Sequence, residues 1–370
     1  MKIAGAVLEE MHRSRPYAHS RPITVAELEL QPPQGGEVLV QIEAAGLCHS
    51  DLSVVSGDRP RPTPMLLGHE AAGRVVQLGP DVTDLSIGQR VVMTFLPRCG
   101  RCAGCATDGR EPCAPGSQAN AAGTLIAGGT RIQRDGYDVH HHLGVSGFST
   151  YAVVSRHSVV PVADDVPAHI AAIMGCAVLT GGGAVLNVGQ PSADDDVVVV
   201  GLGGVGMAAL LTARALGARR VIAVDALTKK LHQARELGAD EAYSPHQAID
   251  ANIRAQIVIE AAGHPQALET AFALTAPGGT TVTVGLPHPS ARSAIPVAQL
   301  TAEARTIKGS YLGSAVPERD LPKFVDMWRS GRLPIESLIS SIISIGEINE
   351  ALDKLADATE LRQIIQFDHT

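Results

Sequence analysis

Residues 196–225 read DVVVVGLGGVGMAALLTARALGARRVIAVD. Val197–Val200 is a continuous apolar run, the form taken by a strand covered on both faces in a parallel sheet. Gly201-Leu202-Gly203-Gly204-Val205-Gly206 follows as G-x-G-x-x-G, then an Ala/Leu-rich helical stretch, then a second strand ending at Asp225. Alone, this glycine pattern is weak evidence. Between a strand and a helix its parts acquire mechanical reasons. Gly201 makes the turn, Gly203 lets a pyrophosphate approach the backbone, and Gly206 lets helix and strand close up. The helix start, with Gly204 and Val205, offers unpaired N–H groups to the phosphates. Asp225 ends the second strand, where a carboxylate accepts both ribose hydroxyls of an adenosine and repels a 2′-phosphate. NAD is therefore expected over NADP.

Further along the chain, strand candidates at 256–260 and 280–284 flank a helix-like 265–274, so this part is a doubly wound α/β sheet. Towards the N-terminus the character changes. Residues 36–42, 72–79 and 88–93 alternate as half-buried strands, and Gly and Pro punctuate the chain up to about Tyr151, which favours a barrel or sandwich. After about Gly313 come isolated helices and a last strand-like Ile364–Phe367. We read that tail as returning to the first domain, which gives 1–177 with 314–370 as one domain and 178–313 as the other. A chain of 370 residues is too long for a single core, in keeping with two domains.

A formal charge of -8 without a Lys/Arg block argues against nucleic acid or an anionic membrane as partner. The start MKIAGAVLEE lacks the parts of a signal peptide, and no stretch is read as running to 18 uncharged apolar residues, so nothing is expected to span a membrane. The reading is a cytoplasmic protein with reduced thiols. Aromatic residues make up only 3% of the chain, so the core is expected to be Val, Leu, Ile and Ala.

The six cysteines divide into four contiguous and two distant. Cys99, Cys102, Cys105 and Cys113 follow C-x2-C-x2-C-x7-C, which fits a closed tetrahedral zinc site without chemistry of its own. An iron–sulfur cluster is the rival reading, because its motif opens with the same spacing; the fourth cysteine here departs from the ferredoxin continuation. Cys48 lies in GLCHSD and Cys176 in the pair Gly175-Cys176. Each alone reads as a buried apolar thiol. With His69 of GHEAAG they make a two-thiolate, one-imidazole set that leaves a fourth zinc position open. Such a metal suits alcohol oxidation, since hydride leaves readily only from an alkoxide.

GLCHSD, GHEAAG, the four-cysteine lobe, the GC pair and GLGGVG stand in the order found in zinc-dependent alcohol dehydrogenases of the medium-chain dehydrogenase/reductase family, class I/III-like. The resemblance spans nearly the whole chain. It implies a GroES-like β-rich catalytic domain beside a Rossmann NAD domain, two zinc ions per subunit, and a homodimer or homotetramer that joins cofactor-domain sheets through about 280–286 and 307–312. By the same match Cys48, His69 and Cys176 hold the catalytic zinc, with Glu70 behind it. Asp51 orients His69, and Ser50 takes the alcohol proton; two plainer readings stand beside these, Ser50 as a turn cap and Glu70 as an electrostatic brace. Many relatives continue the proton path with a histidine where this chain has Ser53. The match puts His49 and Arg362 on the pyrophosphate, Lys230 near the adenosine ribose, and Thr180 and Val284 beside the nicotinamide. Phe95, His142, Leu143 and Leu286 are expected around the substrate, with His142 as a hydrogen-bonding member where relatives are often apolar. The run His140-His141-His142 is not read as a metal cluster, because consecutive strand residues do not share a face.

The resemblance implies interconversion of a primary or secondary alcohol and its aldehyde or ketone. An S-hydroxymethyl thiol adduct is the alternative substrate, weakened because Pro115, Gly116 and Ser117 stand where glutathione-dependent relatives carry an arginine. A non-catalytic zinc scaffold is a further alternative, and a reductase without catalytic zinc, a type that typically lacks both cysteine sets, is another. Residues 114–137 are read as a long loop.

Overall fold

The structure, a computed structural model, describes residues 1–369. The chain divides into Met1–Cys176 with Ile339–Thr370, and Ala177–Leu338. In the first unit, strands Lys2–Leu8, Ile23–Leu30, Ile132–Arg134, Tyr137–His141 and Met65–Leu66 close a barrel. A second sheet runs Val159–Pro161, Arg90–Met93, Ala71–Leu78, Glu37–Leu47, Arg362–Gln366, Ile339–Ile343, with Tyr151–Ser155 also paired to Glu37–Leu47. The returning strand, anticipated at 364–367, lies antiparallel to Glu37–Leu47 with Gln363 opposite Leu47. Val38, Val40 and Ile42 alternate into a core of aliphatic residues around Phe148, which is fully buried. Aliphatic packing is what a chain this poor in aromatics has available.

The second unit holds six parallel strands in the order Glu241–Tyr243, Arg220–Val224, Asp196–Val200, Ala255–Glu260, Thr275–Thr283, Thr306–Gly309. Asp196–Val200 is central and buried along its whole length, as its unbroken valines require. The chain goes from it first to one side and then to the other, so the crevice at its carboxyl end is the switch point where such sheets bind ligands.

Three expectations are corrected. Residues 314–338 belong to the second unit: helix Pro317–Arg329 buries Leu321 and Phe324 there, and Asp320 accepts a hydrogen bond from Asn187 (3.1 Å). The apolar pattern of that helix has no feature to say which unit it packs on. Residues 114–137 are not a plain loop, because Ala114–Ala122 is helical, with the Cys113 sulfur accepting from the Gly116 N–H at its start. Finally, Ala168–Gly189 is one helix long and apolar enough by length and composition to cross a membrane, though 89% of its apolar window is buried inside the protein.

Candidate active site

Strand Glu37–Leu47 delivers Cys48 as the residue before helix His49–Val55. Asp51, in the first turn, reaches back so that its Oδ2 accepts the Cys48 N–H (2.9 Å). Its Oδ1 lies 3.0 Å from His69 Nδ1. An ionised carboxylate only accepts, so the neutral His69 ring keeps its proton on Nδ1 and leaves the Nε2 lone pair for a metal, which would displace any proton held there. That Nε2 lies 3.4 Å from Cys176 Sγ. Cys176 sits in a π-helical turn, Met174–Val178, a wide turn often found at functional sites. A side chain at the preceding Gly175 would collide with the Met93 carbonyl, so glycine is what lets the turn lie against strand Arg90–Met93.

One ligand atom from each of Cys48, His69, Glu70 and Cys176 falls within 4.8 Å of the others, and all four residues are buried. A zinc ion with ordinary Zn–S and Zn–N distances separates tetrahedral S and N ligands by about 3.6 Å. The observed 3.4 Å is close to that edge, so these residues fit the ion. Neither Glu70 oxygen has a hydrogen-bond partner. Arg362 Nε approaches Oε1 at 3.4 Å, from a side chain that is itself buried. Burial pushes the Glu70 carboxyl up to about 7 against the pull of Arg362. Burial also pulls His69 down, but Asp51 and the Cys48 sulfur outweigh it and raise it well above the ordinary histidine range. Hydrogen bonding with Cys176 lowers the Cys48 thiol and raises that of Cys176, as for two sulfurs sharing one proton. Two buried thiols, an imidazole and a carboxylate without a hydrogen bond are an expensive arrangement without an ion, and a divalent cation would compensate it.

The other four thiols close in the same way. Cys99 Sγ and Cys105 Sγ are 4.0 Å apart, Cys102 Sγ and Cys113 Sγ 3.9 Å, and all four sulfurs lie within 4.8 Å. Disulfides need about 2.05 Å. Thiolates on a single zinc are about 3.8 Å apart. Backbone N–H groups of Cys99, Cys105 and Gly116 donate to these sulfurs, which favours their ionised form. An iron–sulfur cluster sets its thiolates on different irons, whereas these surround a space the size of one ion.

The remaining site residues fall in both units. Ser50 is half-buried in the first turn of helix His49–Val55, beside the exposed His49, and Ser53 Oγ donates to the His49 carbonyl (3.0 Å). Phe95 meets the His69 ring edge-on at 5.7 Å. Leu143 is buried with a left-handed backbone (φ 52°). His142 stands 5.3 Å from the His69 ring with its Nδ1 3.2 Å from the same Asp51 oxygen, a neighbour no spacing in the sequence suggests. His141 points the other way: its Nε2 accepts the Arg131 N–H, and its Nδ1 lies 3.1 Å from Ser146 Oγ. The Glu70–Arg362 approach is equally invisible in the sequence, since nearly 300 residues separate the two; Arg362 is expected there only at a pyrophosphate.

In the second unit Gly201 has φ +90°, and a side chain there would strike Ala262. Gly206 packs against the Gly201 carbonyl. Gly203 is different. Its φ of −78° is ordinary, and an added Cβ would meet nothing within 4 Å. Nothing in the protein requires glycine there, so the space suits a ligand lying on the backbone at the start of helix Gly204–Ala215. Asp225 accepts the N–H groups of Leu202 (2.7 Å) and Leu227 (2.9 Å), with Lys230 Nζ 3.9 Å away. Thr180 and Val284 are nearly buried and Leu286 is half exposed.

Comparison with known proteins places the chain in a family. Residues 34–164 match the alcohol dehydrogenase GroES-like domain and residues 204–330 the zinc-binding dehydrogenase domain. Alcohol dehydrogenase B of Mycobacterium tuberculosis is 34% identical, with 99% of each chain covered. The chain belongs to the zinc-dependent alcohol dehydrogenases of the medium-chain dehydrogenase/reductase family. It is an oxidoreductase with that family's two-part α/β fold. The NDMA-dependent alcohol dehydrogenase of Amycolatopsis methanolica is also 34% identical over 99% of each chain. The crystal structure of benzyl alcohol dehydrogenase from Acinetobacter calcoaceticus superposes with a TM-score of 0.90 at 30% identity, covering all of both chains.

Proposed function

We propose that this alcohol dehydrogenase uses NAD and carries two zinc ions per chain. One would be held by Cys48, His69 and Cys176, the other by Cys99, Cys102, Cys105 and Cys113. The observation that supports this most directly is the buried donor set, with His69 turned by Asp51 so that its bare Nε2 stands 3.4 Å from Cys176 Sγ. When bound, zinc acidifies an alcohol hydroxyl and NAD accepts the hydride. The chain's own residues prepare that chemistry. Asp51 holds two elements of the donor set in register through one carboxylate. Ser50, half-buried beside them, takes the hydroxyl proton and passes it towards solvent, past a Ser53 whose hydroxyl is engaged with the His49 carbonyl. Glu70 and Arg362 balance charge behind the thiolates.

Asp225 supports NAD over NADP, because a carboxylate at the end of its strand repels a 2′-phosphate. Lys230 beside it suits the ribose edge. Pro115, Gly116 and Ser117 place no cation at the start of helix Ala114–Ala122, so a free alcohol is favoured over a glutathione adduct. The open edge strand Thr306–Gly309 is available to join a second copy into a homodimer. The test is metal analysis with steady-state kinetics. Two zincs per chain and NADH formation with simple alcohols are expected, with NADP and NDMA as comparison arms. One zinc or none, or no oxidation by any acceptor across an alcohol panel, defeats the proposal.

A further inference from the structure

Beside the donor set lies a patch that the reaction itself does not explain. Arg61 Nε and His140 Nδ1 are buried without hydrogen-bond partners, and His142 Nδ1 faces the Asp51 carboxylate at 3.2 Å. Strand Met65–Leu66 runs parallel to the end of Tyr137–His141 with Met65 opposite His140, and the His140 N–H donates to the Pro64 carbonyl (2.9 Å). The His142 N–H donates to the Leu66 carbonyl (3.2 Å). The segment carrying Arg61 is thus tied to the segment carrying both histidines. Alternation sends the side chains of 140 and 142 to one side and that of His141 to the other. At Gly123, a Cβ would stand 3.0 Å from both Pro62 Cγ and His140 Cβ, so the residue after Arg61 and His140 adjoin there.

His142 is 1% exposed, and its Nδ1 lies 3.2 Å from Asp51 Oδ1, so its ring is turned to the carboxylate that also holds His69. Among the described residues no carboxylate pairs with Arg61. A buried polar atom without a partner costs free energy, and a native protein keeps one where something else supplies the match. The Arg61 guanidinium, on a segment tied to the strand that carries His140, is a fixed positive charge whose planar donors match a carboxylate.

We propose that Arg61, His140 and His142 form a carboxylate subsite, and that the preferred substrate is an alcohol, or its aldehyde, bearing a carboxylate a few atoms from the reacting carbon. The short reach follows from His142, whose ring is 5.3 Å from that of His69. The carboxylate is bound and not transformed. The assignment of substrate class rests on the alcohol dehydrogenase reading above.

The test compares meta-carboxybenzyl alcohol with its uncharged methyl ester on the zinc-loaded enzyme. Wild type favours the acid in kcat/KM. Arg61→Met lowers the acid-to-ester ratio by at least about tenfold, the loss expected for one charge-assisted hydrogen bond. Arg61→Lys restores part of it, and His142→Phe moves the ratio the same way as Arg61→Met. A wild-type preference for the ester, or a ratio that stays within about twofold across all three variants, overturns the subsite while leaving the oxidation of alcohols standing. Calorimetry with isophthalate, which cannot be oxidised, separates the two failures. Binding that Arg61→Met abolishes, in an enzyme that oxidises no alcohol, keeps the subsite and removes the reaction. No isophthalate binding to wild type counts against the subsite.

Discussion

Replacing Asp51 by Asn tests the reasoning about the donor set most directly. Asp51 spends one oxygen on the Cys48 N–H (2.9 Å) and the other on His69 Nδ1 (3.0 Å), so two of the three proposed ligands depend on one side chain. Asparagine has the same shape but a single acceptor oxygen. If that oxygen keeps the Cys48 N–H, the amide NH2 faces His69 Nδ1, which must then accept. The imidazole proton moves to Nε2 and occupies the lone pair a metal needs. If the amide turns over, its NH2 meets the Cys48 N–H instead, donor against donor. Either way one charge-assisted hydrogen bond is lost, about 1.5–3 kcal/mol. Partners that orient metal-bound histidines cost 10- to 100-fold in metal affinity when removed, about 1.4–2.7 kcal/mol, so the two scales agree. The assay is competition with a chromogenic zinc chelator on wild type and Asp51→Asn. The four-cysteine site serves as an internal reference, because Asp51 touches none of its sulfurs. One zinc is expected to become 10- to 100-fold easier to remove while the other keeps its wild-type affinity. If both are held as tightly as in wild type, Asp51 does not set the His69 tautomer for a metal and the reasoning fails.

Other expectations are simpler. Cys113→Ser removes a fully buried sulfur that accepts N–H bonds from Cys99 and Gly116, so zinc content should fall by one per chain; an unchanged count by mass spectrometry contradicts the lobe assignment. Gly203→Ala should leave the melting temperature alone, since its Cβ meets nothing within 4 Å, yet weaken NAD binding; Gly206→Ala should lower the melting temperature instead, because its Cβ collides with the Gly201 carbonyl. Equal thermal losses in both would remove the argument that Gly203 is open for a ligand. Asp196, held at about 2 first by Arg219 and also by Arg220, contributes stability that is fully present above its unfolded value near 3.8 and lost as pH falls through about 2. Both arginines are about half exposed, so after screening the contribution is about 1 kcal/mol; in acid titrations of stability Asp196→Asn should flatten the curve between those pH values, and an unaltered curve refutes the linkage.

Motifs whose parts lie close together are legible in the sequence alone. The run from Val197 to Asp225 reads as strand, turn, helix and strand because periodicity and a glycine turn are local properties, and the fold places them so. The four-cysteine lobe is legible for the same reason: its members lie within 15 residues, and the chain has little freedom to keep them apart. The return of the C-terminal strand is visible in outline, but pattern alone puts the start of the returning segment some 25 residues too early. An amphipathic helix such as Pro317–Arg329 announces that it packs without saying on what, and only the seating of Phe324 and Asp320 decides that.

At the donor set the division is sharper. Residue types and their order point to Cys48, His69 and Cys176 through resemblance, since nothing local joins positions so far apart. Tertiary structure decides which atoms face one another: His69 Nε2 towards Cys176, Asp51 bridging Cys48 and His69, Arg362 behind Glu70, and His142 at Asp51 while His141 turns away. Sequence by itself determined the fold class and the ligand chemistry, because both follow from short-range pattern and side-chain type. The tautomer, the charge balance and the unmatched donors around Arg61 depend on distances between remote segments, and those exist only once the sheets have closed.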